Sequence, residues 1–394
     1  MTAGRIVART LAGLLLAAGC EPLPQPARDT VRSAGPAPAV DTVASGLEVP
    51  WAIAFAPDGR IFVSERVGRI RVIAEGTLRP EPWATVPVAA RGEAGLMGIA
   101  VAPDFATSRA VYAVATVEQR GGLVNRVLRM SDENGKAGPV TVILDGIPAA
   151  VFHAGDAIAF GPDGMLYVAT GDAREPRNAQ DTTSLAGKVL RMRPDGTVPP
   201  DNPIPGSLIY ARGVRNMQGI TWDPTTGQMF GTDHGPSGFP NERFRQGRDE
   251  LNAIPHGGNL GWPAVAGGSD NRRFTPPLVD WSDPGIAPAG VATYAGPHSS
   301  WSNSVFVAAL KGEQLRRVTL ARDSTAAPGW RAVADEPLVE KQFGRLRAVA
   351  MGPDGMVYFT TSNRDGRGAP RSGDDHLLRL RPATNPPNAN SPRP

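Results

Sequence analysis

A histidine and an aspartate flank a predicted β-hairpin near the middle of the chain. His153 precedes an apolar run over 157–160, and Asp172 follows a second apolar run over 165–170. The residues between the runs, Gly161-Pro-Asp-Gly164, have the composition of a tight turn. This hairpin would return a carboxylate towards an imidazole that titrates near neutrality, a common arrangement for moving a proton. A histidine that only satisfies its own loop is the alternative on this stretch alone.

Four cationic side chains stand at the ends of predicted strands. Arg345 and Arg347 are two residues apart at the start of a strand and therefore point to the same face. Two guanidinium groups on one side of a buried strand cost free energy unless an anionic group lies opposite them. Arg215 precedes another strand, next to Asn216, and Lys311 follows a third. Together they predict a pocket for a ligand with several carboxylates or phosphates, whereas a hydrogen-bonded turn and a solvated lysine are the alternatives.

Two loops between 232 and 252 could hold a metal ion. Gly235 and Pro236 offer no side-chain ligands, but a turn there can point its carbonyl oxygens inwards. Carbonyl and carboxylate oxygens are the ligands that Ca²⁺ prefers. Asp249 and Glu250 are the nearest candidates for charged ligands or for groups behind the ligands. A plain acidic loop is the alternative.

The elements that must position these residues form a repeat. An apolar strand, a Pro-Asp turn and a second apolar strand recur over 51–64, 98–114, 157–170, 219–232 and 346–361, with a weaker copy at 304–309 that lacks the turn. About four strands per unit at such spacing is typical of a propeller blade. We therefore predict an all-β fold, a six-bladed β-propeller of four-stranded antiparallel blades. Polar residues at strand starts should gather around its central channel, and Glu93, directly before the second copy, is one of them.

Composition and connectivity argue against other classes. The chain has 46 Gly, 39 Pro and only 20% charged residues, which suits many short strands joined by turns. A doubly wound α/β fold would need long helical crossovers, and a β-sandwich would not explain the recurring turn. The net charge of +3 comes with no Lys/Arg-rich run, so we predict no nucleic-acid partner.

The two ends of the chain are predicted to lie outside the propeller. Arg5 and Arg9 precede an apolar core that is too short to span a bilayer, as in a signal peptide. Ala17-Ala-Gly-Cys20 resembles the lipobox of bacterial lipoproteins, although Ala17 stands where Leu is usual. That resemblance implies an exported protein, periplasmic or anchored to the outer membrane of a Gram-negative bacterium only through an acylated Cys20. We predict a lipoprotein-type signal peptide over 1–20, a Pro-rich tether over 21–40, the propeller over 41–382 and a disordered tail over 383–394.

An ordered series of motifs resembles a known family. The series is Gly-Glu-Ala-Gly-Leu-Met-Gly98, His153 before Gly-Pro-Asp-Gly, Gly-Asp172, Arg-Asn-Met-Gln-Gly219, Asp-His-Gly-Pro236, Asp-Glu-Leu-Asn252, Gly-Gly-Asn-Leu-Gly-Trp-Pro263 and Gly-Arg-Leu-Arg347. From about Gly46 to Pro382 it is similar to the soluble quinoprotein sugar dehydrogenases, the glucose/sorbosone dehydrogenase family. The resemblance implies a six-bladed propeller that uses pyrroloquinoline quinone (PQQ) and Ca²⁺ to oxidise a sugar to its lactone. Electrons would then pass to an external acceptor, a quinone or a cytochrome.

The resemblance also implies roles for the residues singled out above. His153 would be the general base and Asp172 the carboxylate that orients it, while Glu93 and Phe152 would touch the sugar. Glucose-specific members have Gln and Asp at those two substrate positions, so a broader aldose or sorbosone-type range is expected. Five further positions would hold the quinone, namely Arg215, Asn216, Lys311, Arg345 and Arg347. Four others would bind Ca²⁺ or lie near it, namely Gly235, Pro236, Asp249 and Glu250.

Two other functions are compatible with a propeller. A Ca²⁺-dependent lactonase or esterase needs carboxylate and amide side chains that converge on a central metal. The corresponding positions here are arginine and lysine, which argues against that function. A non-catalytic propeller that binds glycans or proteins would have no need of His153 or of the cations, and all of them are present.

Overall fold

The computed structural model describes Met1 and residues 38–268, 271–283 and 285–382. The predicted signal peptide with Cys20, most of the predicted tether and the predicted tail lie outside the described residues. The described elements are almost all β-strands, with one short α-helix, Phe105–Ser108 (α1), and two 3-10 helices, Pro176–Ala179 and Ser299–Trp301. Within the described part of the chain, no helix has the length and apolar composition needed to cross a membrane.

The strands follow one another through the chain with short connections. They are Ala39–Ala44 (β1), Pro50–Phe55 (β2), Ile61–Glu65 (β3), Arg69–Ala74 (β4), Thr77–Leu78 (β5), Ala84–Thr85 (β6), Leu96–Val101 (β7), Ala110–Gln119 (β8), Gly122–Glu133 (β9), Lys136–Ala137 (β10), Thr141–Ala149 (β11), Gly155–Phe160 (β12), Leu166–Thr170 (β13), Lys188–Met192 (β14), Ile209–Arg212 (β15), Met217–Trp222 (β16), Met229–Asp233 (β17), Asp249–Ile254 (β18), Val279–Trp281 (β19), Pro288–Thr293 (β20), Ser304–Ala309 (β21), Gln314–Arg322 (β22), Trp330–Pro337 (β23), Leu346–Met351 (β24), Val357–Thr361 (β25) and Leu377–Arg381 (β26).

These strands form six antiparallel sheets arranged as a propeller. The sheets run β2-β3-β4-β5, β7-β8-β9-β10, β12-β13-β14-β15, β16-β17-β18-β19, β20-β21-β22-β23 and β24-β25-β26-β1. In the first two sheets a fifth strand, β6 or β11, also pairs within the blade. The first strands of the six blades contact one another in order around a closed ring. The predicted all-β, six-bladed propeller of four-stranded antiparallel blades is confirmed.

The first strand of the described residues closes the ring. β1 pairs with β26, with Ala39 opposite Arg381, so the last blade takes strands from both ends of the described chain. Asp41 reinforces this pairing, since its carboxylate accepts from Arg379 Nη2 at 2.9 Å and from Arg381 Nε at 2.8 Å. The strand begins at Ala39, two residues before the predicted start of the propeller.

The position of a strand within its blade explains its composition. The second strands, such as β3, β13, β17 and β25, are buried along their whole length because other strands and neighbouring blades cover both faces. The first strands instead border a central channel of about 430 Å³ that is lined mostly by small and branched residues, together with aromatic rings such as Trp51 and Trp222. Where first strands approach most closely, glycine is required, since a Cβ at Gly219 would lie 2.6 Å from the carbonyl oxygen of Ala289. The weaker copy at 304–309 is the second strand of its blade, and its first strand is β20.

Candidate active site

Residues that lead into the first strands of four blades meet at one end of the channel. Glu93 leads into β7, His153 into β12, Asn216 into β16 and Arg345 into β24. Because equivalent strands start at the same end of a propeller, these side chains converge on one cavity of about 220 Å³. Ten of the thirteen predicted site residues line it, namely Glu93, Phe152, His153, Arg215, Asn216, Gly235, Pro236, Asp249, Lys311 and Arg345.

The predicted base and its carboxylate are in direct contact. His153 Nδ1 lies 2.8 Å from Asp172 Oδ1, and both side chains are buried. Asp172 also accepts hydrogen bonds of 2.8 Å from Trp262 Nε1 and from the backbone N–H of Arg174. An ionised carboxylate can only accept, so the proton of the neutral imidazole resides on Nδ1 and Nε2 is left as the acceptor. The pair is therefore built to accept a proton from a group in the cavity.

The backbone at His153 is held in an unusual conformation. Its φ of 59° lies in the left-handed region, which is unfavourable for a residue with a Cβ. The His153 N–H donates to Glu93 Oε2 at 2.8 Å, which helps to fix this geometry. A Cβ at Gly171 would lie 2.0 Å from the His153 carbonyl oxygen, so the residue before Asp172 must be glycine. The two ends of the hairpin can approach each other only with these residues in place.

Glu93 connects the base to the neighbouring blade. Its Oε2 accepts from the His153 N–H and from Asn216 Nδ2 at 3.1 Å. Burial alone would raise the pKa of Glu93, but the hydrogen bond from the His153 N–H and the charge of Arg367 help to hold the pKa below its ordinary value. The side chain therefore stays ionised beside the base.

The guanidinium of Arg215 is occupied by protein groups. Its Nε donates to Glu242 Oε1 at 2.7 Å, its Nη1 to the His234 carbonyl at 3.1 Å and its Nη2 to Ser237 Oγ at 2.9 Å. Nη2 contacts Glu242 Oε1 as well. Arg215 lies at the cavity wall, but most of its donors organise the adjacent loop.

Asp365 lies between the two arginines that sequence analysis placed on one face. Arg345 Nε donates to Asp365 Oδ2 at 2.8 Å, and Arg347 Nη2 lies 3.6 Å from the same oxygen. Arg347 also donates to Gln218 and stacks over Trp51, 3.6 Å from the ring centre. Burial would raise the pKa of Asp365, but both arginines hold it low. The arginines share a face as predicted, and a protein carboxylate already lies opposite them.

The residues predicted to bind a metal border two adjoining cavities that share Gly235 and Pro236. Gly235 and Pro236 line the cavity, and Asp249 holds their turn because its Oδ1 accepts from the Gly235 N–H at 2.8 Å. Glu250 borders a smaller cavity of about 10 Å³ that Gly235 and Pro236 also line, and there it accepts from the Gly267 N–H at 2.6 Å and from Asn252 Nδ2 at 3.0 Å. Among the described residues, no group of three or more His, Cys, Asp and Glu side chains could hold a metal ion. Backbone carbonyls of the turn are therefore the donors that this cavity offers.

The cavity fits an anionic cofactor. The ammonium of Lys311 makes no ion pair with any carboxylate in the ranges that the structure describes, and it borders the cavity together with Arg345. His234 presents a buried Nε2 that lacks a hydrogen-bond partner among the described residues. Burial lowers the pKa of His234 to about 4, so its imidazole is neutral. An ammonium, a guanidinium and an unpaired imidazole nitrogen suit a ligand that carries carboxylates and carbonyls.

Several residues of the site were not predicted from sequence. The glycine-rich turn that contains Trp262 indicates only a structural role. No spacing or periodicity in the sequence predicts that Trp262 contacts Asp172. Glu242 and Asp365 lie in irregular segments without a repeat or a spacing to mark them. His234 is the histidine of the Asp-His-Gly-Pro motif, so the motif itself is a sequence signal for this residue.

The fold and the site together define a six-bladed propeller with a buried His–Asp pair at the wall of a cavity. Residues 47–379 match the family model of glucose/sorbosone dehydrogenases. The chain belongs to this family, which confirms the predicted family, and its enzymes are oxidoreductases that act on sugar hydroxyl groups.

Solved and curated relatives agree with this assignment. The chain is 44% identical to a Thermus thermophilus oxidoreductase described as a glucose dehydrogenase, with a TM-score of 0.79 over 87% of this chain and 99% of that one. It is 38% identical to the PQQ-bound aldose sugar dehydrogenase of Streptomyces coelicolor, with a TM-score of 0.76 over 88% and 99% of the two chains. It is 29% identical to the aldose sugar dehydrogenase YliI of Escherichia coli over 83% of this chain and 91% of the relative.

Proposed function

We propose that this protein oxidises aldoses with PQQ and Ca²⁺ and that His153 is the general base. The observation that carries the proposal is the buried contact between His153 and Asp172 at the wall of a cavity that also bears Lys311 and Arg345. The PQQ-bound structure of the Streptomyces coelicolor relative supports the choice of cofactor.

The proton-transfer step follows from the geometry of the base. His153 Nε2 accepts the proton of the hydroxyl at the anomeric carbon, and Asp172 stabilises the imidazolium that forms. Bound PQQ would supply the acceptor for the hydride that leaves the same carbon. Loss of one proton and one hydride converts the cyclic sugar to its lactone. Glu93, by binding the His153 backbone, keeps the imidazole directed at the reacting hydroxyl.

Five residues would hold the cofactor in two different ways. Asn216, Lys311 and Arg345 would contact its carboxylates and carbonyls directly, because they line the cavity. Arg215 and Arg347 are largely hydrogen-bonded to protein groups, so they would contribute positive charge from behind these contacts.

The metal would bind to the turn at Gly235 and Pro236. Their carbonyl oxygens would be the ligands, and Asp249 keeps the turn in place through the Gly235 N–H. A Ca²⁺ ion there would polarise a cofactor carbonyl as a Lewis acid. Glu250 borders a small cavity that Gly235 and Pro236 also line, but its two carboxylate oxygens accept from the Gly267 N–H and from Asn252 Nδ2, so we assign it no ligand role at the Gly235–Pro236 turn.

Reconstitution tests this function. Purified apoprotein should reduce an artificial dye with aldoses only after PQQ and Ca²⁺ are added. A lactonase would instead hydrolyse lactones without the quinone, and a binding propeller would do neither. Lack of aldose oxidation by the reconstituted protein with every acceptor tried would refute the proposal.

We further propose that the enzyme works in the cell envelope, anchored through Cys20, and passes electrons to an external quinone or cytochrome. The mass of the mature N-terminal peptide checks the anchor, because acylation would add lipid to Cys20 and Cys20→Ala would abolish the addition. An unmodified Cys20 in the mature protein would contradict the anchor without affecting the enzymatic proposal.

A further inference from the structure

The loop over 237–246 closes one side of the cavity. Its base is fixed where the Gly247 N–H donates to the Pro236 carbonyl at 2.9 Å. Phe239 and Gln246 of this loop line the cavity, whereas Arg243 and Arg245 are exposed. The loop therefore has one side towards the site and one towards solvent.

A buried carboxylate holds the loop in shape. Glu242 Oε2 accepts from three consecutive backbone N–H groups, those of Ser237 at 2.8 Å, Gly238 at 2.8 Å and Phe239 at 3.0 Å. Its Oε1 pairs with Arg215, and each of the two side chains is only 2% exposed. Removing one partner of such a pair leaves a buried charge without compensation. The ion pair thus ties the loop to Arg215, two residues before β16.

Phe239 is placed against the base by this loop. The centre of its ring lies 5.7 Å from that of His153, at an interplanar angle of 54°. Arg174 covers the ring, with its guanidinium carbon 4.3 Å from the ring centre. Asn241 Nδ2 donates to the Arg174 carbonyl at 2.7 Å, so the loop is also hydrogen-bonded to the segment that follows Asp172. A second phenyl ring, that of Phe152, borders the same cavity and is covered by Arg367 at 4.8 Å.

We propose that Phe239 is a substrate-contacting wall of the sugar site and that the Glu242–Arg215 ion pair fixes this wall. Apolar rings suit the C–H faces of a pyranose, and the Phe239 ring lines the cavity in contact with His153, the proposed base. This inference rests on the proposed aldose oxidation and adds a residue that would contact the sugar.

Steady-state kinetics of the reconstituted enzyme test the wall. In Phe239→Ala, KM for glucose should rise about tenfold while kcat changes less, in the range that loss of an apolar pocket contact produces. Phe239→Leu keeps an apolar side chain of intermediate size and should raise KM less. Wild type that oxidises glucose, together with an unchanged KM in Phe239→Ala, would overturn the inference and leave the proposed function intact. Wild type without any aldose oxidation would overturn both.

Limited proteolysis of the cofactor-free protein tests the ion pair independently of activity. In Glu242→Gln, trypsin should cut after Arg243 and Arg245 at least several-fold faster than in wild type, because the loop loses its anchor. The matched control is Asp335→Asn, which breaks the Arg316–Asp335 pair of 2.7 Å in the fifth blade and should leave the cleavage rate at the loop unchanged. Equal rates in Glu242→Gln and wild type, with the cuts mapped by mass spectrometry, would refute the anchoring role.

Discussion

The indole of Trp262 donates a hydrogen bond to Asp172 Oδ2 at 2.8 Å, while Asp172 Oδ1 contacts His153 at the same distance. Trp262 also lies beneath the guanidinium of Arg215, whose central carbon is 5.5 Å from the ring centre. One buried side chain therefore touches both the carboxylate of the proton-transfer pair and the cation that organises the neighbouring loop.

Trp262→Phe should lower kcat about tenfold, because a hydrogen bond to a charged group typically contributes about 1.5–3 kcal/mol. The phenyl ring retains most of the packing against Arg215, so KM should change less than kcat. Steady-state kinetics of the reconstituted protein measure both. Trp330→Phe is the matched control, since the Trp330 indole N–H is buried without a hydrogen-bond partner among the described residues and the side chain packs in the fifth blade. Comparable losses of kcat in the two variants would mean that only packing is involved.

His153→Ala should lower turnover by a factor of about 10²–10⁴, the usual contribution of a general base. Quinone binding should remain within about twofold of wild type, because the cations that bind it are separate residues. Single-turnover kinetics and a titration of the quinone absorbance give the two values. His256→Ala, at an exposed histidine that contacts the Asp201 carbonyl, should leave both unchanged. A parallel loss of binding and turnover in His153→Ala would make the histidine structural.

Lys311→Ala should weaken PQQ binding about tenfold, since a cofactor carboxylate would lose a charge-assisted hydrogen bond. Thermal stability of the apoprotein should hardly change, because the ammonium has no carboxylate partner in the described chain. Fluorescence titration and a melting curve measure the two properties. Lys341→Ala removes an exposed lysine elsewhere and serves as the control. A large drop in the apoprotein Tm would show instead that Lys311 supports the fold.

The ionisation of Glu250 should lower the free energy of unfolding as the pH rises towards 8. Burial, and next Asp233, raise the pKa of Glu250 to about 8, above its ordinary value of 4.5. The unfolded chain therefore releases the proton first, and the free energy of unfolding falls between about pH 4.5 and pH 8. Glu250→Gln copies the protonated form, so its Tm should exceed that of wild type at pH 8 and match it near pH 4.5.

The partners of Glu250 favour this substitution. Asn252 Oδ1 is buried without a hydrogen-bond partner among the described residues, so a rotated Asn252 amide could accept from the new side-chain N–H₂. Melting curves of Glu250→Gln and wild type across this pH range measure the difference in Tm. A Tm difference between Glu250→Gln and wild type that does not vary with pH would contradict the assigned ionisation.

The amino-acid sequence by itself determined the repeating strand–turn–strand pattern and, from it, the six blades. It also placed His153 and Asp172 at the two ends of one hairpin, because a contact 19 residues apart follows from local pairing. The family motifs then singled out ten residues that line one cavity.

Tertiary structure alone decided which groups satisfy those residues. Trp262 meets Asp172 across 90 residues, Glu242 meets Arg215 across 27, and Asp365 meets Arg345 across 20. The spacing of Arg345 and Arg347 predicts a ligand opposite the two side chains, whereas the fold supplies Asp365 there. Side-chain partners of this kind depend on how separate blades and irregular loops converge around the channel. Neither hydrophobic periodicity nor residue spacing carries that information, since both describe neighbours along the chain.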